Sequence, residues 1–519
     1  MKRKWFVKFI HIFVSALVLL TFLLPLLTGM VKAAVPTPDQ KPEVEPALSM
    51  QLNADQTSGY LIYFREWPDL RPAYSMNWEK RGQNVVRQLQ ETATRSQAGV
   101  RSYLDRQGVK YKSYWISNVI VVEHSDRATF NELLNHSEIE ILRARRHPTI
   151  TEPGQITAPQ EVNTIETNIS RIGTADVWAL GIDGSGIVVA NIDTGVRYTH
   201  EALVNQYRGN LGGGEFDHNY NWWDPADYGD HDLVPDDWYG HGSHTMGIML
   251  GDDGAENQIG MAPGATWIAC QADENFTDAE LFECGQFLAA PWDLNQQNPD
   301  PDLRPHIVNN SWGDCDQTYN SWYEAVISAW HALGIYPVFA NGNAGNCSYT
   351  LPPGLNTVGN PARSGNVTAV GSTNRDTDAF GQPVYAVHSN WGPTDNLDTV
   401  NPRGFPDLKP QVVAPGYDIR SSTQDSDTQY ERWYGTSMAA PHVAGLVALM
   451  WSVAPCLIGN YAVTETIIER TATPIYYEDG SPATPSNYPN YATGWGEINA
   501  YQTVVTALAA CHYLPMIAR

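Results

Sequence analysis

Basic charge is scarce over most of this chain. Residues 152–519 hold 12 Lys and Arg against 43 Asp and Glu, and Lys409 is the only lysine among them. Such a surface argues against a nucleic-acid partner, because phosphate binding needs a basic face. Cysteine is sparse too. Six residues (Cys270, Cys284, Cys315, Cys347, Cys456 and Cys511) all lie in the acidic part, and no two have the C-x-x-C spacing of a metal knuckle. Six cysteines in an exported chain point to disulfides, with 15 pairings allowed and buried free thiols left as the alternative. Long apolar runs number one, from Phe9 to Leu27, so the rest reads as soluble.

That run has the grammar of a secretory signal. Lys2, Arg3, Lys4 and Lys8 form a basic flank, and Val31-Lys32-Ala33 offers short residues where a signal peptidase reads. Residues 1–33 are therefore expected to be a cleaved signal peptide, which makes the protein secreted and leaves no stable membrane association. A retained anchor is the alternative, and Pro25 counts against it. Residues 34–58, rich at first in Pro, Glu and Ala, read as a disordered lead.

From residue 59 to 146 the pattern becomes compact. Strands are expected at Tyr60–Phe64, Ile116–Val122 and Ile139–Leu142, with helices at 78–107 and Ala128–Leu134, a small α+β unit. Arg143-Ala144-Arg145-Arg146 reads as a solvated basic run open to nicking. Residues 147–170, polar and holding Pro148, Pro153 and Pro159, read as a linker. From 171 to 510, short fully apolar runs alternate with helical segments. The runs are Gly186–Ile192, Trp267–Ala269, Ile307–Asn309, Pro337–Ala340 and Val367–Val370; the helices are Trp322–Leu333 and Met438–Trp451. Buried strands separated by helices imply an α/β fold, with a mostly parallel central sheet covered on both faces. Ligands then sit at the carboxyl ends of strands. Residues 511–519 read as a C-terminal tail.

Chemistry-bearing residues follow those runs. Asp193 ends the first one, in Asp193-Thr194-Gly195, where a carboxylate can orient an imidazole. An aspartic protease would need a second such motif, and none occurs. His241 opens His241-Gly242-Ser243-His244, suited to proton transfer near neutral pH; a zincin would need His at i and i+4 with Glu between them. Ser437 opens an apolar helix in Gly435-Thr436-Ser437-Met438-Ala439-Ala440-Pro441-His442, where helix N–H groups favour developing negative charge. Asn343, in Asn341-Gly342-Asn343, could donate its side-chain amide to an oxyanion. Each motif alone has a structural reading as a cap, a turn or a core residue. The order Asp, His, Ser with these contexts is far more specific.

These segments resemble the active-site signatures of the subtilisin-like serine proteases, and most closely the bacillopeptidase F-type members. Val188–Val196, Gly251-Asp252-Asp253-Gly254, Ile259–Ala265, Asn309–Gly313 and Gly494-Trp495-Gly496 carry the likeness over roughly residues 170–505. Residues 50–150 more weakly resemble the family's inhibitory propeptide. The resemblance implies a serine endopeptidase acting on proteins or peptides through an acyl-enzyme, and autoprocessed from a precursor. Asp193, His241 and Ser437 would form the triad and Asn343 would complete the oxyanion hole. Ser311, Trp312 and Gly313, with Ala340, Asn341 and Gly342, would flank the primary specificity pocket and pair with substrate backbone. The propeptide would be the intramolecular inhibitor, and a monomer is expected. The pairing expected is Cys270–Cys284, Cys315–Cys347 and Cys456–Cys511; Cys315 and Cys347 are joined because they follow the two pocket walls.

No cofactor or metal is expected in catalysis. Ala202 stands where subtilisins often place a calcium-binding Asp, and Gly254 where their metal loop offers a side-chain amide. A structural calcium therefore finds no specific residues in support. Ser243 stands where Thr is common. Two other functions stay open: a catalytically silent adhesion protein, which should have lost one of the four catalytic positions, and a membrane-anchored processing protease.

Overall fold

The computed structural model describes residues 41–517 apart from 53–57, 151–152, 157–163, 226–231, 273–275, 378–382, 398–404 and 476–487. The expected signal and residues 34–40 lie outside the described residues. Residues 41–517 belong to one compact unit.

The leading part runs β1 (Glu43–Val44), α1 (Pro46–Leu52), β2 (Ser58–Phe64), α2 (Trp78–Gln107), β3 (Tyr111–Tyr114), β4 (Val119–Ser125), α3 (Arg127–Leu133) and β5 (Ile139–Ala144). Its five strands pair in the order β1-β5-β2-β4-β3. Helix α2 is fixed at both ends: Asn77 accepts from the N–H of Lys80 at 3.2 Å, and Gly108 closes the helix in the left-handed region at φ 66°. Between them Val85, Leu89, Val100 and Leu104 form one buried stripe.

The expected disordered lead is corrected over residues 43–52. Glu43 and Val44 pair with Ile141 and Leu142 in parallel, and Leu48 is fully buried. Two apolar residues in a polar stretch are enough when a sheet edge is there to receive them. The stretch read as a linker is also engaged. β6 (Thr149–Ile150) and β7 (Gly154–Gln155) pair with the following part, and Thr167–Arg171 is helical.

In that part β8 (Val188–Asp193), β9 (Trp222–Trp223), β10 (Thr266–Gln271), β11 (Ile307–Asn310), β13 (Tyr336–Ala340), β14 (Thr368–Thr377), β15 (Pro383–Tyr385) and β16 (Val412–Pro415) make one eight-stranded sheet. Its order is β9-β10-β8-β11-β13-β14-β15, with β16 also on β14, and all pairs are parallel except β14 with β15. Along β8, Val189 packs on one face and Ala190 and Ile192 on the other. Helices α4 (His241–Leu250) and α7 (Thr436–Val453) cover the first face, and α5 (Asp278–Ala289) and α6 (Glu324–Leu333) cover the second. This is the parallel, doubly covered α/β sheet that apolar runs predict. Two shorter strand groups flank the site: β12 (Trp312–Gly313), and β17 (Ile419–Ser422) with β18 (Tyr430–Tyr434).

Helix α7 is long and apolar enough to span a bilayer, so the first apolar run is not the chain's last; yet it is enclosed by the core. The C-terminal tail is helical as well, within Ala500–Ile517. All three expected disulfides are present. The Arg143–Arg146 run is docked rather than solvated. Arg145 Nε and the Arg146 N–H both donate to Asp278 at 2.6 Å, and Arg146 pairs with Glu45.

Candidate active site

Asp193 is the last residue of β8, at the carboxyl end of a central strand, and is almost wholly buried. Its Oδ1 accepts from the N–H of Thr194 at 2.8 Å and from Nδ1 of His241 at 2.7 Å, while Oδ2 accepts from the Thr245 hydroxyl at 3.2 Å. Those donors fix the carboxylate, which in turn fixes the imidazole tautomer with the proton on Nδ1. Nε2 of His241 has no hydrogen-bond partner among the described residues. His241 is the first residue of α4. A Cβ on the next residue, Gly242, would lie 2.0 Å from the carbonyl oxygen of Gly195, so only glycine lets the helix start come this close to the end of β8.

Ser437 sits in the first turn of α7, and α7 packs against α4, where Met438 meets Ile248. The Ser437 hydroxyl donates to the carbonyl of Ser311 at 3.2 Å, and the Ser311 hydroxyl donates to the carbonyl of Ser437 at 3.1 Å. The structure thus joins Asp193 to His241 directly, while Ser437 is hydrogen-bonded across the cleft rather than to Nε2. Catalytic hydrogen bonds are often unformed without substrate.

Asn343 follows β13. Its Oδ1 accepts from the Thr436 N–H at 2.9 Å and the Thr436 hydroxyl at 3.0 Å, which turns Nδ2 the other way. A Cβ on Gly435 would come within 2.9 Å of that Nδ2, so glycine there leaves the amide uncrowded.

The expected pocket walls divide. Gly313, Ala340, Asn341 and Gly342 line one narrow cavity with Asn343, and Cys315 and Cys347, bonded to each other, close it. Ser311 and Trp312 do not line it. Trp312 turns its ring inward against Tyr323 (5.3 Å) and Phe339 (5.4 Å) and offers backbone only. Thr149 stands at the cavity, because Thr149 and Ile150 pair antiparallel with Gly313 and Trp312. Beyond the cavity, Gly154 and Gln155 pair with Tyr434 and Trp433.

The neighbouring histidines are structural. His244 lies flat on Trp433 at 4.6 Å, and burial drives its pKa down to about 3. Sequence reasoning missed Asp237, whose carboxylate accepts from the Thr194 hydroxyl (2.7 Å) and from the N–H groups of Gly240 (2.7 Å) and Ser243 (2.8 Å). Burial pushes its carboxyl up to about 6 against the pull of those donors. The available signal was an Asp four residues ahead of a motif histidine.

The two positions where family resemblance would look for calcium ligands carry no oxygen side chain. The Ala202 methyl packs with Ile259 and Tyr430, and Gly254 has no donor side chain. Nearby charges are already engaged: the Tyr430 hydroxyl donates to Glu201 at 2.9 Å, and Arg420, lying over Tyr430, donates to Asn257 Oδ1 at 2.7 Å and pairs with Glu166 at 3.3 Å. Among the described residues no three His, Cys, Asp or Glu converge as metal ligands.

The site thus brings an Asp–His pair and a helix-borne serine to the carboxyl edge of a parallel α/β sheet. The subtilase family model matches residues 184–496, and the chain belongs to that family. Bacillopeptidase F of Bacillus subtilis (strain 168) is 33% identical over 437 residues, covering 81% of this chain and 28% of that protein. The thermophilic serine proteinase of Bacillus sp. (strain AK1) is 30% identical, covering 58% and 62% respectively. The major intracellular serine protease of Bacillus subtilis (strain 168) is 28% identical, covering 56% and 76%. The chain thus spans under two thirds of the length of the first two. The fold is shared with fervidolysin from Fervidobacterium pennivorans, a keratinolytic enzyme related to subtilisin, at TM-score 0.57 and 17% identity over 87% of this chain and 61% of that one.

Proposed function

We propose that the chain is the precursor of an exported serine endopeptidase in which Ser437 is the nucleophile, His241 the general base and acid, and Asp193 its orienting carboxylate. His241 Nε2 takes the Ser437 hydroxyl proton as Oγ attacks the substrate carbonyl. The oxyanion is held by the Ser437 N–H and Asn343 Nδ2. His241 then gives the proton to the leaving amine, water repeats the attack on the acyl-enzyme, and the acid product leaves. The 2.7 Å Asp193–His241 bond, with Nε2 left available, is the observation that carries this reading.

Substrate backbone would add as a strand to Trp312–Gly313, the place now taken by Thr149–Ile150. The second pairing, of Gly154–Gln155 with β18, which ends at Tyr434 shortly before Ser437, supports the same reading. Residues 59–146 would then be the inhibitory propeptide, with the maturation bond between Ile150 and Gly154. The basic flank and apolar run of residues 2–27 support export, and N-terminal sequencing of the mature protein checks both assignments.

The deciding experiment is labelling with a fluorophosphonate followed by peptide mapping. The label is expected on Ser437 and lost in His241→Ala. Label on another residue, or undiminished label in that variant, would overturn the triad.

A further inference from the structure

Helix α4 begins without a cap of its own. Gly240, at its N-cap position, has φ 97° and no side chain to accept from the first N–H groups, which must still be satisfied. Asp237 does so from three residues upstream. Its Oδ1 accepts from Gly240 N (2.7 Å) and Tyr239 N (3.1 Å), and its Oδ2 accepts from Ser243 N (2.8 Å). A carboxylate there also meets the positive end of the helix dipole.

The same carboxylate reaches the other half of the Asp–His pair. Thr194, next to Asp193, donates its hydroxyl to Asp237 Oδ1 at 2.7 Å and accepts on that hydroxyl from Gly242 N at 2.9 Å. Gly195 and Asp237 are bridged through their backbones as well. The end of β8 and the start of α4 are therefore tied through one buried carboxylate and one hydroxyl, and these two segments carry Asp193 and His241.

We infer that Asp237, acting through Thr194, is a positioning residue that sets the register between Asp193 and His241 for proton transfer. It touches neither substrate nor any reacting atom. The inference rests on the triad reading above. Its chemical logic is that misplacing a base by about 1 Å costs about 10²-fold in rate, while ground-state binding along β12 is untouched.

The test uses Asp237→Asn, Thr194→Val and the double variant in the full chain, each assayed on a peptide amide. Active sites are counted by fluorophosphonate, and folding is followed by thermal denaturation. Asn keeps one acceptor but turns an NH₂ toward the Ser243 N–H; Val removes the hydroxyl bridge at nearly constant volume. Per labelled site, each single variant is expected to lose roughly 10- to 100-fold in kcat with KM within about twofold. The double variant should be no worse than the poorer single, because both cut one connection. A kcat per labelled site within twofold of the parent in Thr194→Val, or a KM that rises as kcat falls, or losses that multiply, would overturn the inference. If Asp237→Asn does not fold, Thr194→Val alone decides. A parent that fails to label at Ser437 would instead sink the triad.

Discussion

Thr436 holds Asn343 by its oxygen, through both an N–H and a hydroxyl, so the amide cannot flip without stranding two donors beside Ser437. In the proposed mechanism this pre-orients Nδ2 for an oxyanion that exists only after attack. Asn343→Ala is expected to lower kcat by roughly 10²–10³-fold with little change in KM, measured as initial rates on a peptide amide. A variant that raised KM and spared kcat would assign Asn343 to ground-state binding instead. At this scale the motifs were legible because their local strings are long: Asp193, His241, Ser437 and Asn343 could all be named from the sequence. Asp237 was not, since its place ahead of the motif histidine does not by itself reveal partners that are backbone N–H groups and a hydroxyl 43 residues away. Trp312 was half legible. Its place on a pocket wall follows from its neighbours, but whether a ring faces cleft or core is decided by the aromatic cluster of Trp322, Tyr323 and Phe339 behind it.

Helix α7 shows why apolar composition places an element without describing its polar contacts. It is apolar all round and central, as its sequence predicts, yet it contains His442. Nδ1–H of that ring donates to the carbonyl of Met438 at 2.8 Å, and Nε2 accepts from Asn168 at 2.8 Å. A ring so held stays neutral, and burial drives its pKa down to about 3. The unfolded chain binds a proton on this residue below about pH 6.5, whereas the folded one does not until far lower, so stability falls as pH drops through that window. In a Ser437→Ala background, which removes self-digestion, the stability advantage of the parent over His442→Gln is expected to shrink by about 2 kcal/mol between pH 7 and pH 5. Denaturant unfolding at the two pH values measures it, and a constant advantage would mean that His442 takes up its proton in the fold at the same pH as in the unfolded chain. Among elements, the long helix of residues 78–107 was legible from its helical pattern and the buried strands from their continuous apolar runs. β1, β6 and β7 were not, because two-residue strands are created by the partner edge and not by their own propensity.

The division of charge along the chain becomes a docking interface in the folded molecule. Residues up to 146 carry the basic side chains, and those beyond carry the acidic surface they meet. Arg145 and Arg146 share Asp278 at the start of α5, Lys112 lies 3.6 Å from Glu283, and Arg143 donates to Ser321 at 2.8 Å. Read alone, Arg143–Arg146 looks like a solvated run, because the acceptor that buries it lies 133 residues further on. The contact also joins two apolar surfaces, with Val85, Leu89 and Tyr114 of the leading part in the same cluster as Phe282 and Trp322. Removing the Asp278 side chain should therefore loosen the segment after β5 without detaching the whole leading part. Arg145 and Arg146 keep about a fifth of their side chains exposed, so the loss is discounted to about 1–2 kcal/mol from that of a fully buried pair. In the Ser437→Ala chain, Asp278→Ala is expected to speed trypsin cleavage after Arg145 or Arg146 roughly 10-fold, because cutting follows the population of the opened segment. Peptide mapping over time reads it. Unchanged cleavage there, with the thermal midpoint also unchanged, would mean that the apolar contact alone holds the segment and that the paired charges only steer it into place.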